Sequence, residues 1–278
     1  GDDSAYDREG IGKGWFPRYL LDGYAAPVSA LSMNNNVVEM TITSSGVTLF
    51  PKSSGFAMRN QAKPAGYTDL GITREPGSEM TFVVGKVSPG TVTKRGITIA
   101  NPAMFVTGAF SHAVKAAGIT VHGTARLINP YGEPAQSRSS KLLARYQSPK
   151  LTEIISQINR ESDNVFAQHV FKALAHKSRG LGSADNGYQA VLDFFKKNGL
   201  NSDGLMMVDG CGLSTLDKIS PRMLVGVLEA MWRHPKGQAF INSLPTGGEG
   251  TLSYRLSGLR VRAKTGTIDG CSALSGLV

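Results

Sequence analysis

The sequence predicts a mixed α/β protein in two parts: small β-rich modules over residues 1–135, and a helical second part, 136–278, that ends in a strand. Three observations carry this. Clusters of turn formers punctuate the first part and separate short runs of β-forming residues. From Ser148 onward, apolar residues recur at helical spacing. Residues 259–267, Leu-Arg-Val-Arg-Ala-Lys-Thr-Gly-Thr, then return to a two-residue alternation.

In the first part, Asn34-Asn35-Asn36, Ser44-Ser45-Gly46, Ser53-Ser54-Gly55, Glu75-Pro76-Gly77 and Ser88-Pro89-Gly90 are the turns. Between them, Val37 to Ile42 and Met80 to Val84 read as strands. One helix interrupts: Pro102 to Ala117 carries Met104, Phe105, Ala109 and Val114 at roughly helical spacing, and Gly118 stops it. Ile119 to Ile128 returns to strand. Asn129 to Ser140 is rich in turn formers and marks the boundary between the parts.

Ser148-Pro149 then predicts a capped helix start, with Leu151, Ile154, Ile155 and Ile158 as one apolar face. Val165 to Leu174 continues helically. Further helices are expected at Ala184 to Lys197, at Ser220 to Arg233 and around Gln238 to Leu244.

Composition bounds the function. Hydrophobic residues at 41% and charged residues at 18% are those of an ordinary globular chain, which excludes a mostly disordered one. No apolar run approaches the roughly 20 residues that span a bilayer. The net charge of +9 raises nucleic acid or an anionic polymer as partner, but the Lys and Arg are scattered and no basic tail or aromatic stripe accompanies them. No nucleic-acid partner is therefore expected. Cys211 and Cys271 lack Cys-x-x-Cys spacing, and His112, His122, His169, His176 and His234 share no ligand spacing, so neither a metal nor a cofactor is expected. The two cysteines read as buried thiols, or as one disulfide in an exported chain.

The alternation over 259–267 places Lys264 on the polar face of its strand. Thr265 and Thr267 put two hydroxyls on one side, and Gly266 between them lets a ligand lie close to the backbone. A cation and two hydroxyls along an open edge suit a carboxylate. Alone, Lys264 reads better as a solvated lysine and Gly266 as a bulge, although a Lys-Thr-Gly arises by chance in only about one chain in ten of this size. Ser162-Asp163-Asn164 sits at the joint between two helical stretches, where a hydroxyl and an amide can face one cleft. Ser162 alone reads as well as a helix N-cap.

The pair of motifs is more specific than either. Ser-Asp-Asn followed by Lys-Thr-Gly gives two of the three elements of penicillin-binding proteins and class A β-lactamases. Val208-Asp209-Gly210-Cys211-Gly212-Leu213-Ser214 with Ile219-Ser220-Pro221, and Leu244-Pro245 with Gly250-Thr251-Leu252 and Arg255, narrow it further. So do Gly1-Asp2-Asp3-Ser4 and the stretch Tyr24 to Ser32. Together these resemble, from end to end, the D-alanyl-D-alanine carboxypeptidase/endopeptidase family, the class C low-molecular-mass penicillin-binding proteins of peptidase family S13. The resemblance implies a penicillin-binding, serine β-lactamase-like transpeptidase fold. Residues 1–135 would then be inserted β-rich domains and 136–278 the second part of the transpeptidase domain.

It also implies roles. The partner would be a peptidoglycan stem peptide ending in D-Ala-D-Ala, or a β-lactam, in the periplasm or elsewhere in the cell envelope. Ser162 would relay a proton, Asn164 would hold the substrate carbonyl, and Lys264 would supply positive potential. Thr265, Gly266 and Thr267 would line the carboxylate site, and Asp2 and Asp3 would form an acidic spot for a substrate amino group. Two departures qualify this. The family's Ser-x-x-Lys nucleophile is absent, Thr91-Val92-Thr93-Lys94 being the nearest match, so the nucleophile is expected before Gly1 and the chain is expected to be an inactive internal fragment. Thr215 stands where a basic residue is usual, which alters the expected side-chain preference. The alternative is a non-catalytic cell-wall-binding homologue. A β-lactamase is disfavoured by the long β-rich first part.

Overall fold

The computed structural model describes residues 1–128 and 141–278. The turn-rich boundary segment 129–140 lies outside the described residues. The chain divides into two compact units, Gly1–Ile11 with Trp15–Gln136 and Gly12–Gly14 with Ser137–Val278.

In chain order the first unit contains β1 (Val37–Thr43), β2 (Gly46–Phe50), β3 (Met58–Asn60), β4 (Lys63–Pro64), β5 (Asp69–Thr73), β6 (Thr81–Val87), β7 (Thr93–Thr98) and helix α1 (Pro102–Ala116). β1 is the centre of an antiparallel sheet ordered β2-β1-β7. β6 organises the other sheet, parallel to β3 and β4 and antiparallel to β5. The alternation of β1 explains the core: Val38, Met40 and Ile42 all point inward and are fully buried. Val38 packs with Ile99, Phe105 and Ala109, while Met40 and Ile42 pack with Val83 and Ile97. Each such side chain contributes about 1.5–3 kcal/mol by leaving water.

Asn101 caps α1, its side-chain oxygen accepting from the Met104 N–H at 3.0 Å. Gly108 lets the 53–55 loop lie against that helix, since a Cβ there would stand 2.5 Å from Ser53 Oγ. The strand expected over 119–128 does not form. Gly123 turns the backbone to φ +87°, which breaks the extended run, and Ile119 and Ile128 stay exposed.

The second unit contains α2 (Leu151–Glu161), α3 (Asn164–Arg179), α4 (Ala184–Lys197), α5 (Pro221–Arg233), α6 (Gly237–Ser243), β8 (Arg262–Ile268) and β9 (Cys271–Leu277). Ser183 and Ser220 cap α4 and α5 through the N–H groups of Asn186 and Met223. Ser148 does not cap α2, which starts two residues after Pro149. Lys150 O takes the N–H groups of Glu153 and Ile154 instead. Phe195, Leu205 and Met223 form a core cluster with Tyr188, Val191 and Leu200 around it.

The terminal strand is shorter than expected at its start: Leu259 lies in an exposed turn after Gly258 (φ +79°), and β8 begins at Arg262. β8 and β9 pair antiparallel from Arg262↔Leu277 to Ile268↔Cys271 around Asp269-Gly270. Gly270 supplies the positive φ of +75° in that tight turn.

Candidate functional site

Two helices meet at Ser162. α2 ends at Glu161, and Ser162 follows in the left-handed conformation, φ 60° and ψ 42°. For a non-glycine residue that costs on the order of 1–3 kcal/mol and persists only where its surroundings impose it. Asp163 then returns to extended backbone, and its carboxylate accepts the Phe166 N–H at 3.0 Å. Asp163 is therefore the N-cap of α3, and the reading of Ser162 as that cap is corrected. A carboxylate at a helix N-terminus also meets the positive end of the helix dipole. The division of labour leaves the Ser162 hydroxyl for another partner. Asn164, half-buried, is the first residue of α3.

That partner is Lys264. Its Nζ donates to Ser162 Oγ at 2.5 Å, across 102 positions of sequence, and to its neighbour Thr265 O at 2.5 Å. Burial, with little to offset it, holds the Lys264 ammonium below its ordinary pKa. β8 brings it there because Ala263 faces the core and is almost fully buried, which turns Lys264 to the opposite face.

The edge chemistry of β8 follows from one bond. The Ala263 N–H donates to Pro245 O at 3.1 Å, on the side away from β9. Backbone N–H groups two residues apart point the same way, so those of Thr265 and Thr267 face that same edge. Among the described residues β8 pairs with no strand other than β9. Thr265 is half-buried and Thr267 exposed. A Cβ on Gly266 would meet only Ala273 Cβ, at 3.9 Å. The fold does not require glycine there.

The structure thus brings Ser162 and Lys264 into contact, with Asn164 on the same helical joint; Thr265 and Thr267 follow on the same strand, their side chains alternating in face with Lys264 and Gly266. Asp2 and Asp3 belong to the first unit. Asp3 is buried and its carboxylate accepts from Arg8 Nη2 at 3.3 Å, while Asp2 is exposed and accepts the Ser4 N–H at 3.0 Å. Ser32-Met33-Asn34, the other Ser-x-Asn, lies in a turn of that unit.

The loop 208–218 adds an acidic pair that its sequence does not signal. The fully buried Asp209 carboxylate accepts the N–H groups of Cys211, Gly212 and Ser214 at 3.0, 2.6 and 2.8 Å. Asp217 accepts the Val208 N–H at 2.7 Å. Burial first, and the Asp209 charge second, raise the Asp217 carboxyl to about 7. Thr215 meets Gly14 O through its backbone N–H and hydroxyl. Cys211 and Cys271 are both free thiols, and Cys271, at the exposed start of β9, is not buried as expected. His169 on α3 is pushed down to about 4 by burial and the Lys172 charge. Among the described residues no group of acidic, His and Cys side chains could hold a metal ion.

Comparison with known proteins adds independent findings. A family model described as the D-Ala-D-Ala carboxypeptidase 3 (S13) family matches residues 1–278. The chain is 30% identical over 310 residues to a D-alanyl-D-alanine carboxypeptidase of Actinomadura sp., covering all of this chain and 56% of that protein. It is 32% identical over 156 residues to carboxypeptidase DacB of Mycolicibacterium smegmatis, covering 52% of this chain and 34% of that one. Among solved structures it resembles penicillin binding protein 4 (dacB) of Haemophilus influenzae, with a TM-score of 0.79, 22% identity, and coverage of 99% and 65%. The same protein complexed with a novel β-lactam matches at a TM-score of 0.71 and 22% identity, with coverage of 91% and 61%. The fold is therefore mixed α/β of the penicillin-binding-protein type. The chain spans about half the length, or less, of these curated relatives.

Proposed function

The chain belongs to the D-Ala-D-Ala carboxypeptidase 3 (S13) family, and from that premise we propose that its second unit recognises peptidoglycan stem peptides ending in D-Ala-D-Ala. It does so as part of a serine-type carboxypeptidase/endopeptidase that works through an acyl-enzyme and binds β-lactams. The observation that carries this is the 2.5 Å contact of Lys264 Nζ with Ser162 Oγ, which joins the two motifs in one site.

Each group has a role fitted to its chemistry. The Lys264 ammonium occupies a lone pair of Ser162 Oγ, so the hydroxyl proton is directed elsewhere and can pass to the departing amine. Asn164 offers an amide N–H to the substrate peptide carbonyl. The hydroxyls of Thr265 and Thr267 bind the terminal carboxylate beside Lys264, charge-assisted bonds worth about 1.5–3 kcal/mol each. The Thr267 N–H, on the open edge, is one oxyanion donor, and losing such a donor costs around 10²–10³ in rate. The acidic pair Asp2 and Asp3 carries no step of this reading.

No serine among residues 1–278 is followed three positions later by lysine, so the acyl-accepting serine is not among them. That same observation favours a second reading, a stem-peptide-binding homologue without turnover. We place either protein in the cell envelope. No described helix is long and apolar enough to cross a membrane.

Calorimetry with an N-acylated peptide ending in D-Ala-D-Ala, alongside fluorescent penicillin labelling, tests the proposal. The 278-residue chain is expected to bind the peptide reversibly, to lose affinity about tenfold or more in Lys264→Met, and to take no covalent label after denaturation. Equal affinity for the D-Ala-D-Ala peptide and its L-Ala-L-Ala counterpart would overturn the reading. Full-length protein with turnover selects the enzyme over the binding homologue.

A further inference from the structure

Asn159 and Arg160 stand in the last turn of α2, just before Ser162, and both reach toward the segment that feeds β8. Asn159 Nδ2 donates to Ser243 Oγ at 2.7 Å; Ser243 is buried at the end of α6 and donates to Phe240 O at 2.5 Å. Arg160 Nη1 pairs with Glu249 Oε2 at 2.9 Å, and its Nη2 donates to Asn242 O at 3.3 Å. The backbones also touch. Gly250 sits at φ +47°, and a Cβ there would come within 2.4 Å of Arg160 O.

The same segment holds the start of β8 from its other side. Arg262 Nη1 donates to Leu244 O at 3.0 Å, Ala263 N–H to Pro245 O at 3.1 Å, and Thr246 bridges Arg262. Residues 242–250 are thus gripped by the helix turn that ends in Ser162 and by the strand residues that precede Lys264. The two walls of the site have no covalent link shorter than 102 residues, yet they share this one short splint.

We propose that Arg160, supported by Asn159, is a positioning residue: by clamping residues 242–250 between the last turn of α2 and the start of β8, it sets the spacing of Ser162 Oγ and Lys264 Nζ. The ligand in this inference, a D-Ala-D-Ala terminus, rests on the function proposed above; the clamp does not. Two observations argue against a merely structural ion pair. The Arg160 and Glu249 side chains are 33% and 50% exposed, a setting in which a pair contributes little to folding. Ser162 holds a left-handed backbone that needs support from outside its own turn. Glu249 stays charged because the Thr246 N–H, then Arg160, hold its carboxyl below the ordinary range.

The test follows the Lys264 ammonium by NMR titration of carbon-13-labelled lysines, assigned with Lys264→Arg, together with peptide affinity by calorimetry. Arg160→Met and Arg160→Glu are expected to move the Lys264 titration upward, toward an ordinary lysine, as the side chain loses its enclosed position. They should weaken peptide binding about tenfold. The reversed pair, Arg160→Glu with Glu249→Arg, keeps the ion pair but not the bond to Asn242 O, and is expected to restore both in part. Glu249→Gln, at an exposed side chain with little effect on folding, should move the titration the same way by less, and serves if Arg160 variants do not fold. An unchanged Lys264 titration in these variants, or no restoration in the reversed pair, overturns the clamp. If the wild type binds no peptide, the functional reading fails while the titration still decides the clamp.

Discussion

Lys264 and Ser162 were not equally legible as individuals. Lys264 could be placed on a strand face from the alternation with Ala263, which is core, and that placement holds. Ser162 alone stayed open between cleft hydroxyl and cap, because Ser and Asp are equally good caps and nothing local says which of two adjacent residues will cap. Asp163 takes the cap, and Ser162 takes the left-handed turn. Gly266 allows a sharper test, because its own fold has room for a methyl group. Gly266→Ala is expected to leave the melting temperature unchanged or slightly raised, as Gly→Ala does in a compatible backbone. The methyl would project on the face that carries Lys264, so peptide affinity is expected to fall at least about tenfold. Retained affinity would show that the ligand does not approach this stretch of backbone.

Among the elements, the loop 208–218 holds contacts that its sequence did not signal. Its sequence contributed only to the family resemblance, whereas in the fold Asp209 ties three of its N–H groups and shares a charge environment with Asp217. Because Asp217 is raised in the fold to about 7 from an ordinary 3.8, the unfolded chain gives up this proton first as pH rises. The stability it contributes is complete below about pH 4 and is lost progressively as pH rises to about 7. His169, lowered in the fold to about 4, tilts the other way, losing stability as pH falls below about 6.5. The difference between wild type and Asp217→Asn isolates the pair. Urea midpoints from pH 4 to 8 are expected to show a decline in the wild type that Asp217→Asn lacks; parallel curves would refute it. The strand expected over 119–128 failed for a related reason: its apolar residues had the right alternation, but Gly123 broke the backbone that alternation needs.

For the molecule as a whole, the net charge of +9 is spread along the chain, while the proposed site rests on one half-buried cation, Lys264. Salt separates the two. Any association with duplex DNA or another polyanion is expected to fall steeply between 50 and 500 mM salt, at about one power of salt per phosphate contact. Peptide affinity is expected to change by less than about threefold over that range, because a partly enclosed pair is poorly screened. A steep salt dependence of peptide binding would move recognition from Lys264 to the exposed surface.

The sequence by itself determined the strand and helix periods, most helix limits, the two motifs and, through their combination, the family. Those signals are local, or repeated along the chain, and survive without knowledge of what packs on what. Only the tertiary structure decided that Ser162 is the left-handed end of α2 rather than a cap, that both cysteines are free, and that Lys264 lies within 2.5 Å of Ser162. A contact across 102 residues is set by how α2, α6 and the 242–250 segment stack against β8, and no short window of sequence encodes that stacking.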